Sequence, residues 1–214
     1  MGATVTARSS SASQAFVSDV LAREDYQIIG EIVEVRAKVL DLGCGEGLLM
    51  GWLEQVKSCH TRGVEISPSR VRQALSNGLS VYQGDIDQGL ADYPDQAFDY
   101  VVLSQTLQET LNPREVLLEM VRVGKRAIVA FPNFGHWSSR LSLTFTGRAP
   151  KTRHLPYEWY NTPNIHFVTI PDFEELVRKE RLIIEKSYFL RGDRRVAWRP
   201  SLMADSAVYL LRKG

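Results

Sequence analysis

Short apolar runs and helical patterns alternate along the chain from Tyr26 onward. An amphipathic stripe over residues 28–33 predicts a helix, and the apolar run that follows it predicts a first strand. Such alternation is typical of a parallel sheet built from strand–helix–strand units. The apolar runs predict seven strands, at residues 38–42, 62–66, 80–83, 98–103, 127–131, 182–186 and 207–211.

Residues with capping chemistry mark the helices between these strands. Ser67 offers an N-cap oxygen and Pro68 suits the first helical position, so a helix is predicted to run from there to residue 76. Asn112 and the proline after it form the same N-cap and proline pattern and predict another helix, which ends at Gly124. Thr169, with an acid three residues later, resembles a capping box for a helix that continues to about residue 179.

One stretch, residues 132–164, does not fit the alternation. Trp137, Leu141 and Phe145 lie at four-residue steps and predict a short helix, which is followed by the aromatic and proline-rich run LPYEWYNTPNIH. Connections that leave the carboxyl ends of parallel strands line the ligand crevice of an open sheet. The insertion leaves the fifth strand at that edge, so we expect it to border a ligand site.

The composition narrows the class of protein. The chain of 214 residues has 26 basic and 25 acidic side chains, a balance that creates no field to attract nucleic acid or an anionic membrane. Cys44 and Cys59 form neither a metal-ligand spacing nor a disulfide framework, and no apolar run is long enough to span a bilayer. We expect a soluble, cytoplasmic protein with a poorly ordered tail at residues 1–23 and a single domain over 24–214.

The clearest motif is the loop VLDLGCGEG at residues 39–47. Asp41 closes an apolar strand, and glycines stand at positions 43, 45 and 47 before a helical pattern begins. Glycine lets a backbone turn tightly and approach a ligand, and the start of a helix presents N–H groups without partners. The dinucleotide fingerprint G-x-G-x-x-G requires a glycine where this chain has Leu48, so dinucleotide binding is disfavoured.

The G-x-G-x-G form after an acid resembles motif I of the class I methyltransferases. In that family the loop holds the amino-acid end of S-adenosylmethionine, whose carboxylate can meet backbone N–H groups and whose ammonium can meet polar oxygens. Such a loop needs no lysine, and this one contains none. For the loop taken alone, a tight strand-to-helix turn without a ligand is the alternative.

Two later acids favour a cofactor site. The resemblance assigns the ribose hydroxyls to Glu65, at the end of the second strand, and places Asp85 near the adenine amino group. Ser104 and Gln105 follow the fourth strand and should border the methionine end. The expected cofactor is S-adenosylmethionine or S-adenosylhomocysteine. The predicted cofactor-binding residues are Asp41, Gly43, Cys44, Gly45, Gly47, Glu65, Ile66, Asp85, Ile86, Ser104 and Gln105.

A catalytic residue is harder to assign. Positioning supplies much of the acceleration of methyl transfer, and a general base is needed only when the acceptor must lose a proton. The segment LSQTLQE lacks the Asp/Asn-Pro-Pro-Tyr/Phe set of nucleic-acid amino-methyltransferases, and no acid cluster indicates a metal. His136 and His166 are candidates for a base because both lie in or beside the insertion, with a structural or surface role as the alternative. Cys44 lacks an adjacent base, which disfavours a nucleophile.

Two surface features remain open to several interpretations. The aromatic residues Tyr157, Trp159 and Tyr160 could form a wall of a substrate pocket, a contact surface for a protein, or packing of the insertion onto the core. The arginines of segment 191–199 form a basic cluster that is either a solvated face or a site for an anion or an acidic partner.

Several longer segments resemble the MetW family of methionine biosynthesis proteins. They include QGDIDQGL, FDYVVLSQTLQ, NPREVLLEMVRVGKRAIVAFPNFGHW and LPYEWYNTPNIH, and the similarity runs from about residue 24 to residue 190. The resemblance implies a three-layer, Rossmann-like class I methyltransferase fold, with a seven-stranded, mostly parallel sheet whose last strand is antiparallel. It also implies a role in methionine biosynthesis together with the homoserine O-acyltransferase MetX.

Two functions follow from this resemblance. In the first, the chain binds the acyltransferase through the insertion and regulates it, with S-adenosylmethionine as a signal. In the second, it is a methyltransferase of an unknown small-molecule acceptor. The missing catalytic signatures and the aromatic insertion favour the first.

Overall fold

The computed structural model describes residues 20, 23–152 and 155–214. In this part of the chain eight strands form one sheet. The strands are β1 (Lys38–Leu42), β2 (His60–Glu65), β3 (Val81–Gln83), β4 (Phe98–Ser104), β5 (Gly124–Pro132), β6 (Leu182–Arg191), β7 (Arg194–Arg195) and β8 (Ser206–Lys213).

The strand order is β3-β2-β1-β4-β5-β8-β6-β7. Strands β1 to β5 pair in parallel, and β8 lies antiparallel between β5 and β6. The antiparallel last strand is therefore confirmed, but the predicted count of seven strands is wrong. The eighth is β7, a two-residue strand that pairs with the end of β6. Strand β6 extends beyond its predicted end at 186. The exposed polar residues at 185–187 interrupt the apolar pattern, and the strand continues through Tyr188, Phe189 and the buried Leu190.

The helices lie on both faces of the sheet. Alternate side chains of a strand point to opposite faces, and two apolar clusters follow this alternation. Val39, Tyr100 and Ile128 pack with the first two helices, whereas Leu40, Val101 and Val129 pack with the fourth and sixth. This arrangement confirms the three-layer architecture. The helices are α1 (Glu24–Ile32), α2 (Leu48–Lys57), α3 (Pro68–Ser76), α4 (Pro113–Val123), α5 (Trp137–Leu141), α6 (Ile170–Lys179) and α7 (Pro200–Met203).

The predicted helix starts are correct, but only one of the three predicted side-chain caps forms. The hydroxyl of Thr169 accepts a hydrogen bond from the N–H of Asp172 at 3.3 Å, which confirms the capping box. At α3 the hydroxyl of Ser67 instead lies 2.9 Å from that of Ser69. Within the described residues the side chain of Asn112 makes no capping bond to α4. Proline at the first position suffices to start both helices.

Two described residues, Val20 and Arg23, lie before the predicted domain boundary at residue 24. Val20 is completely buried and packs with Ile28 and Ile29 of α1. Arg23 makes hydrogen bonds to side chains of α1 and β4. The rest of the predicted tail, residues 1–19 and 21–22, lies outside the described residues.

The insertion leaves β5 as helix α5, followed by one turn of π-helix over Ser142–Thr146. The predicted helix is confirmed, but its apolar stripe faces outward, since Phe145 is 79% exposed. The end of the insertion lies against the loops after β4 and β5. The N–H groups of Ile165 and His166 both donate to the carbonyl of Gln108, and the ring of Phe167 lies 4.3 Å from that of Phe134. No described helix is long and apolar enough to cross a membrane.

Candidate functional site

A crevice opens where the first four parallel strands end. It contains about 580 Å³ of space, part of it open to solvent. Five of the predicted residues line it, namely Gly43, Glu65, Ile66, Asp85 and Ile86. Sequence reasoning missed Arg70, Thr106 and Glu109, which also line it. The available signal for Thr106 and Glu109 was their position in the loop after β4, whereas Arg70 lies within α3.

The glycine loop needs its glycines for two different reasons. Gly43, Gly45 and Gly47 have φ angles of 68°, 59° and 83°, which favour glycine. A Cβ on Gly43 would lie 2.8 Å from the Thr106 hydroxyl, and one on Gly47 would lie 2.2 Å from Leu79. A Cβ on Gly45 would meet no described atom within 4 Å. Gly45 therefore leaves room at the loop for a ligand.

Four N–H groups of this loop are hydrogen bonded within the protein. Gly43 and Cys44 both donate to the carbonyl of Val64, at 2.8 and 3.1 Å. Gly45 donates to Oε2 of Glu65 at 2.9 Å, and Gly47 donates to the carbonyl of Cys44. These four N–H groups therefore hold the loop in place.

Glu65 joins the loop to the next helix. The side chain is buried, with Oε2 on the N–H of Gly45 and Oε1 on the N–H of Ser67 at 2.8 Å. A carboxylate has about four acceptor positions, so each oxygen can accept one further hydrogen bond. Glu65 can thus hold the loop and still face hydroxyl groups in the crevice.

Asp85 and its neighbours form the far end of the crevice. Oδ1 of Asp85 accepts a hydrogen bond from the N–H of Asp87 at 3.0 Å and caps a short 3₁₀ helix, Ile86–Gln88. Ile66 is 64% exposed in the crevice, and Ile86 is half-buried. This arrangement places a carboxylate beside two apolar side chains, as recognition of a purine requires.

A charged network that the sequence did not predict lies at the end of β4, where Ser104 closes the strand. The guanidinium of Arg23 bonds both carboxylate oxygens of Asp25, with Nη2 to Oδ2 at 2.6 Å and Nε to Oδ1 at 3.2 Å. Its remaining bonds go to the hydroxyls of Tyr26 at 2.9 Å and Ser104 at 3.2 Å. The hydroxyl of Ser104 in turn donates to Oδ2 of Asp25 at 2.5 Å. The network joins α1 to the end of β4.

Asp41 lies within the electrostatic range of this network. Its carboxyl group is 4% exposed, and burial raises its pKa from 3.8 to about 7. The positive charge of Arg23 opposes this rise, whereas the negative charges of Glu65 and Asp25 add to it. A buried acid that titrates near neutrality is well placed to respond to a cationic ligand.

Gln105, also predicted to border this end, has a φ of 56°. Its N–H donates to the carbonyl of Ala130 at 2.8 Å, and its carbonyl accepts a hydrogen bond from Nε2 of Gln108 at 2.7 Å. The backbone of Gln105 therefore fixes the loop after β4 against β5.

The side chain of Cys44 does not face the crevice, which corrects its place in the predicted site. Its sulfur packs over Gly63 of β2, where a Cβ would lie 2.5 Å from Sγ, and it shares a small apolar cluster with Met50. Burial raises the pKa of the thiol above its ordinary value. A buried thiol with a raised pKa is a poor nucleophile, and only the backbone of Cys44 contributes to the loop.

The two candidate bases differ in their surroundings. His136 is buried and caps α5, with Nδ1 2.7 Å from the hydroxyl of Ser138. This contact gives His136 a structural role. His166 is half-buried, and its Nε2 has no hydrogen-bond partner among the described residues. The same holds for Oε1 of Gln108, whose carbonyl accepts the N–H of His166.

In the described ranges, no group of three or more His, Cys, Asp or Glu side chains is placed to hold a metal ion.

The family model of the methionine biosynthesis protein MetW matches residues 23–211, which covers the glycine loop, the crevice and the insertion. The chain belongs to the MetW family. A curated relative from Rhodopirellula baltica, the bifunctional methionine biosynthesis protein MetXA/MetW, is 34% identical over 204 residues. That similarity covers 89% of this chain and 33% of the relative. The chain spans about a third of the length of the curated relatives that it matches.

Several solved structures that resemble this chain are described as methyltransferases. An S-adenosylmethionine-dependent methyltransferase from Mesorhizobium loti is similar with a TM-score of 0.70 and 14% identity, over 91% of this chain and 100% of that one. A methyltransferase in complex with the activator Trm112 of Haloferax volcanii is similar with a TM-score of 0.61 and 17% identity, over 84% of each chain. At these identities the likeness shows the fold, which is that of the class I methyltransferases.

Proposed function

We propose that the crevice binds S-adenosylmethionine or S-adenosylhomocysteine. The support is that Gly43, Glu65 and Asp85 line a single crevice, and that Gly45, which is hydrogen bonded to Glu65, leaves open space beside it. Glu65 would accept the ribose hydroxyls, Asp85 the adenine amino group, and Ile66 and Ile86 would cover the ring. Asp41 would face the ammonium of the amino-acid end. When bound, S-adenosylmethionine supplies a methyl group on a sulfonium.

We further propose that the protein supports or regulates the homoserine O-acyltransferase MetX in methionine biosynthesis. The observation that carries this proposal is the aromatic surface, which we define as the exposed side chains of Phe145, Trp159, Tyr160 and Phe167, each between 67% and 79% exposed. Exposed clusters of this kind mark sites of protein contact. The Rhodopirellula baltica relative, whose name joins MetXA to MetW, supports the choice of partner.

The aromatic surface is connected to the crevice. The insertion ends on Gln108, and the short 3₁₀ helix that contains Gln108 also carries Glu109, which lines the crevice. A ligand in the crevice would lie beside the segment that holds the end of the insertion. We propose that S-adenosylmethionine influences a partner on the aromatic surface through this segment.

The test measures acyltransferase activity of purified MetX from the same organism with and without this protein. We expect activity to rise on addition, and to change again when S-adenosylmethionine is added. Trp159→Ala should weaken the effect by at least about tenfold if Trp159 lies at the centre of the contact. Trp198→Ala is the matched control, because Trp198 is 65% exposed but lies outside the insertion. Equal loss in both variants, or an unaltered acyltransferase, would contradict the proposal.

An active methyltransferase is the second candidate. It is favoured by the buried atoms Oε1 of Gln108 and Nε2 of His166, which have no hydrogen-bond partner in the described ranges and could recognise a polar acceptor. This function predicts that the purified protein converts S-adenosylmethionine to S-adenosylhomocysteine in a metabolite extract. Conversion without any effect on MetX would replace the first function by the second.

A further inference from the structure

A hollow beside the insertion shares no lining residue with the cofactor crevice. This aromatic hollow, as we call it, is lined by the rings of Phe134, Tyr157, Trp159 and Phe167 and contains about 470 Å³ of space, part of it open to solvent. The N–H of Phe134 donates to the carbonyl of Val168 at 2.9 Å, which holds the loop after β5 against the chain beyond the insertion. Aromatic rings supply rigid contact area, so the hollow fits a bulky apolar side chain.

The turn that carries Trp159 is already held in shape. The N–H of Glu158 donates to Oδ1 of Asn161 at 3.0 Å, and the N–H of Asn161 donates to the carbonyl of Glu158 at 3.2 Å. The ring of Tyr160 meets that of Trp159 edge to face, with their centroids 5.6 Å apart. A surface that is ordered beforehand loses little entropy on binding. This turn can therefore contact a partner without rearranging.

A broader basic hollow adjoins the aromatic hollow, and both are lined by Tyr157, Glu158 and Trp159. The cations that line the basic hollow are Arg148 and Lys151. Lys151 is paired with Glu158. Arg148 is exposed, and the hydrogen bonds that it makes to described residues come from its backbone alone. Its guanidinium is therefore available to an acid of a partner.

The charge of the insertion differs from that of the rest of the chain. Residues 132–164 contain four basic side chains and one acidic side chain, Glu158, whereas the whole chain has 26 basic and 25 acidic side chains. Outside the insertion, acids are thus in slight excess. Opposite charges steer partners together and orient them, and a carboxylate matches a guanidinium with two parallel hydrogen bonds. The insertion is therefore complementary to an acidic surface.

We propose that the insertion binds an acidic segment of a partner protein, which places one bulky apolar side chain in the aromatic hollow and a carboxylate on Arg148. The inference names the chemistry of the contact and rests on the proposal that the aromatic surface contacts a protein. A bilayer surface is too broad to enter a hollow, whereas a single side chain can enter it. The matching feature of the partner is an exposed segment with acids on both sides of a large apolar residue.

Fluorescence anisotropy of a labelled peptide, Asp-Glu-Phe-Glu-Asp, tests the inference on the full chain without any other protein. We expect binding that weakens as salt is added. Binding should fall at least about tenfold when amides replace the four acids, or when serine replaces the phenylalanine.

Variants of the chain locate the contact. Arg148→Glu should weaken the peptide at least about tenfold, because it places like charges opposite each other. Arg148→Lys, which keeps the charge but not the two parallel bonds, should fall between this variant and the wild type. Arg72→Glu is the matched control, because Arg72 is exposed on α3, which packs beside β2 and β3 and not beside β5, where the insertion begins.

The same variants are then tested with purified MetX. Arg148→Glu should weaken the complex at least about tenfold, and an excess of the peptide should displace MetX. Arg72→Glu should bind MetX as the wild type does.

The outcomes separate this inference from the function on which it rests. Loss of the peptide and of MetX in Arg148→Glu, but not in Arg72→Glu, supports the inference. If MetX responds to the protein while Arg148→Glu and the peptide change nothing, the inference is overturned and the proposed function stands. If the peptide binds as described but MetX does not respond, the inference is supported and the choice of MetX is wrong. Binding to vesicles of phosphatidylglycerol and phosphatidylcholine, without binding of the peptide, would overturn the inference in favour of a membrane.

Discussion

Asp41 offers a direct test of the electrostatics at the end of β1. Its carboxyl group is buried, and its pKa is raised from 3.8 to about 7. A group whose folded-state pKa lies above its unfolded value stabilises the fold most where it is protonated, and that contribution is lost as the pH rises towards the folded pKa. Asp41 should therefore cost the protein stability at neutral pH, and Asp41→Asn should remove the cost.

The size of the effect follows from the two pKa values. A difference of about three pH units corresponds to about 4 kcal/mol once the pH exceeds both values. Between pH 5 and pH 8 the cost of the ionised Asp41 should grow by about 2.5 kcal/mol, because part of the total is already lost by pH 5. The asparagine variant has no charge to bury, so the stability difference between variant and wild type should grow by this amount.

Urea unfolding of both proteins at pH 5 and pH 8 measures this difference. Asp99→Asn is the control of opposite sign, because the hydrogen bond from Lys125 lowers the pKa of Asp99. Asp99 is ionised in both the folded and the unfolded chain above pH 5, so its variant should show a difference that does not change between the two pH values. A difference for Asp41→Asn that is equally constant would show that Asp41 titrates in the ordinary acidic range, and the reasoning would be refuted.

Three further predictions concern the same region. The ammonium of the ligand favours the ionised form of Asp41. The affinity for S-adenosylhomocysteine, measured by titration calorimetry across pH, should therefore rise by up to about tenfold per pH unit below pH 7 and level off above it. An affinity that does not change with pH would contradict this prediction. Gly63→Ala should lower the free energy of unfolding by about 1–3 kcal/mol in urea melts, since its Cβ would overlap Cys44 and Met50; an unchanged melt would show that the cluster adapts. Both buried thiols, Cys44 and Cys59, should react with a disulfide reagent at pH 8 only after unfolding; rapid labelling of the native protein would show otherwise.

The strands and helices were predictable where an apolar run marks a buried strand or where proline and glycine mark the ends of a helix. Strands β1 and β4 lie in the middle of the sheet, are buried on both faces and read as continuous apolar runs. Helix α3 was predicted at both ends from a proline at its start and Asn77-Gly78 after it. Strand β6 was predicted at half its length, because exposed polar residues at 185–187 interrupt its apolar pattern and a bulge between Ile184 and Lys186 shifts its register.

The candidate site was predictable only in its outline. Strand ends and glycines locate Gly45, Glu65 and Asp85 because topology alone brings them to one edge. The hydrogen bonds of the loop were not predictable, since they depend on Glu65 turning back onto Gly45. Arg23 left no signal at all, because it lies in a polar segment and acquires a role only when α1 packs against β4.

The bond between Arg23 and Ser104 also sets an order of assembly. These residues are 81 positions apart, and Asp25 and Ser104 are 79 apart. Contacts across such distances form late, because the loop between them must close first. Strands β1, β2 and β3 are consecutive in the chain and adjacent in the sheet, so they can pair without closing so long a loop. We therefore expect the contact between α1 and β4 to form after these strands have paired.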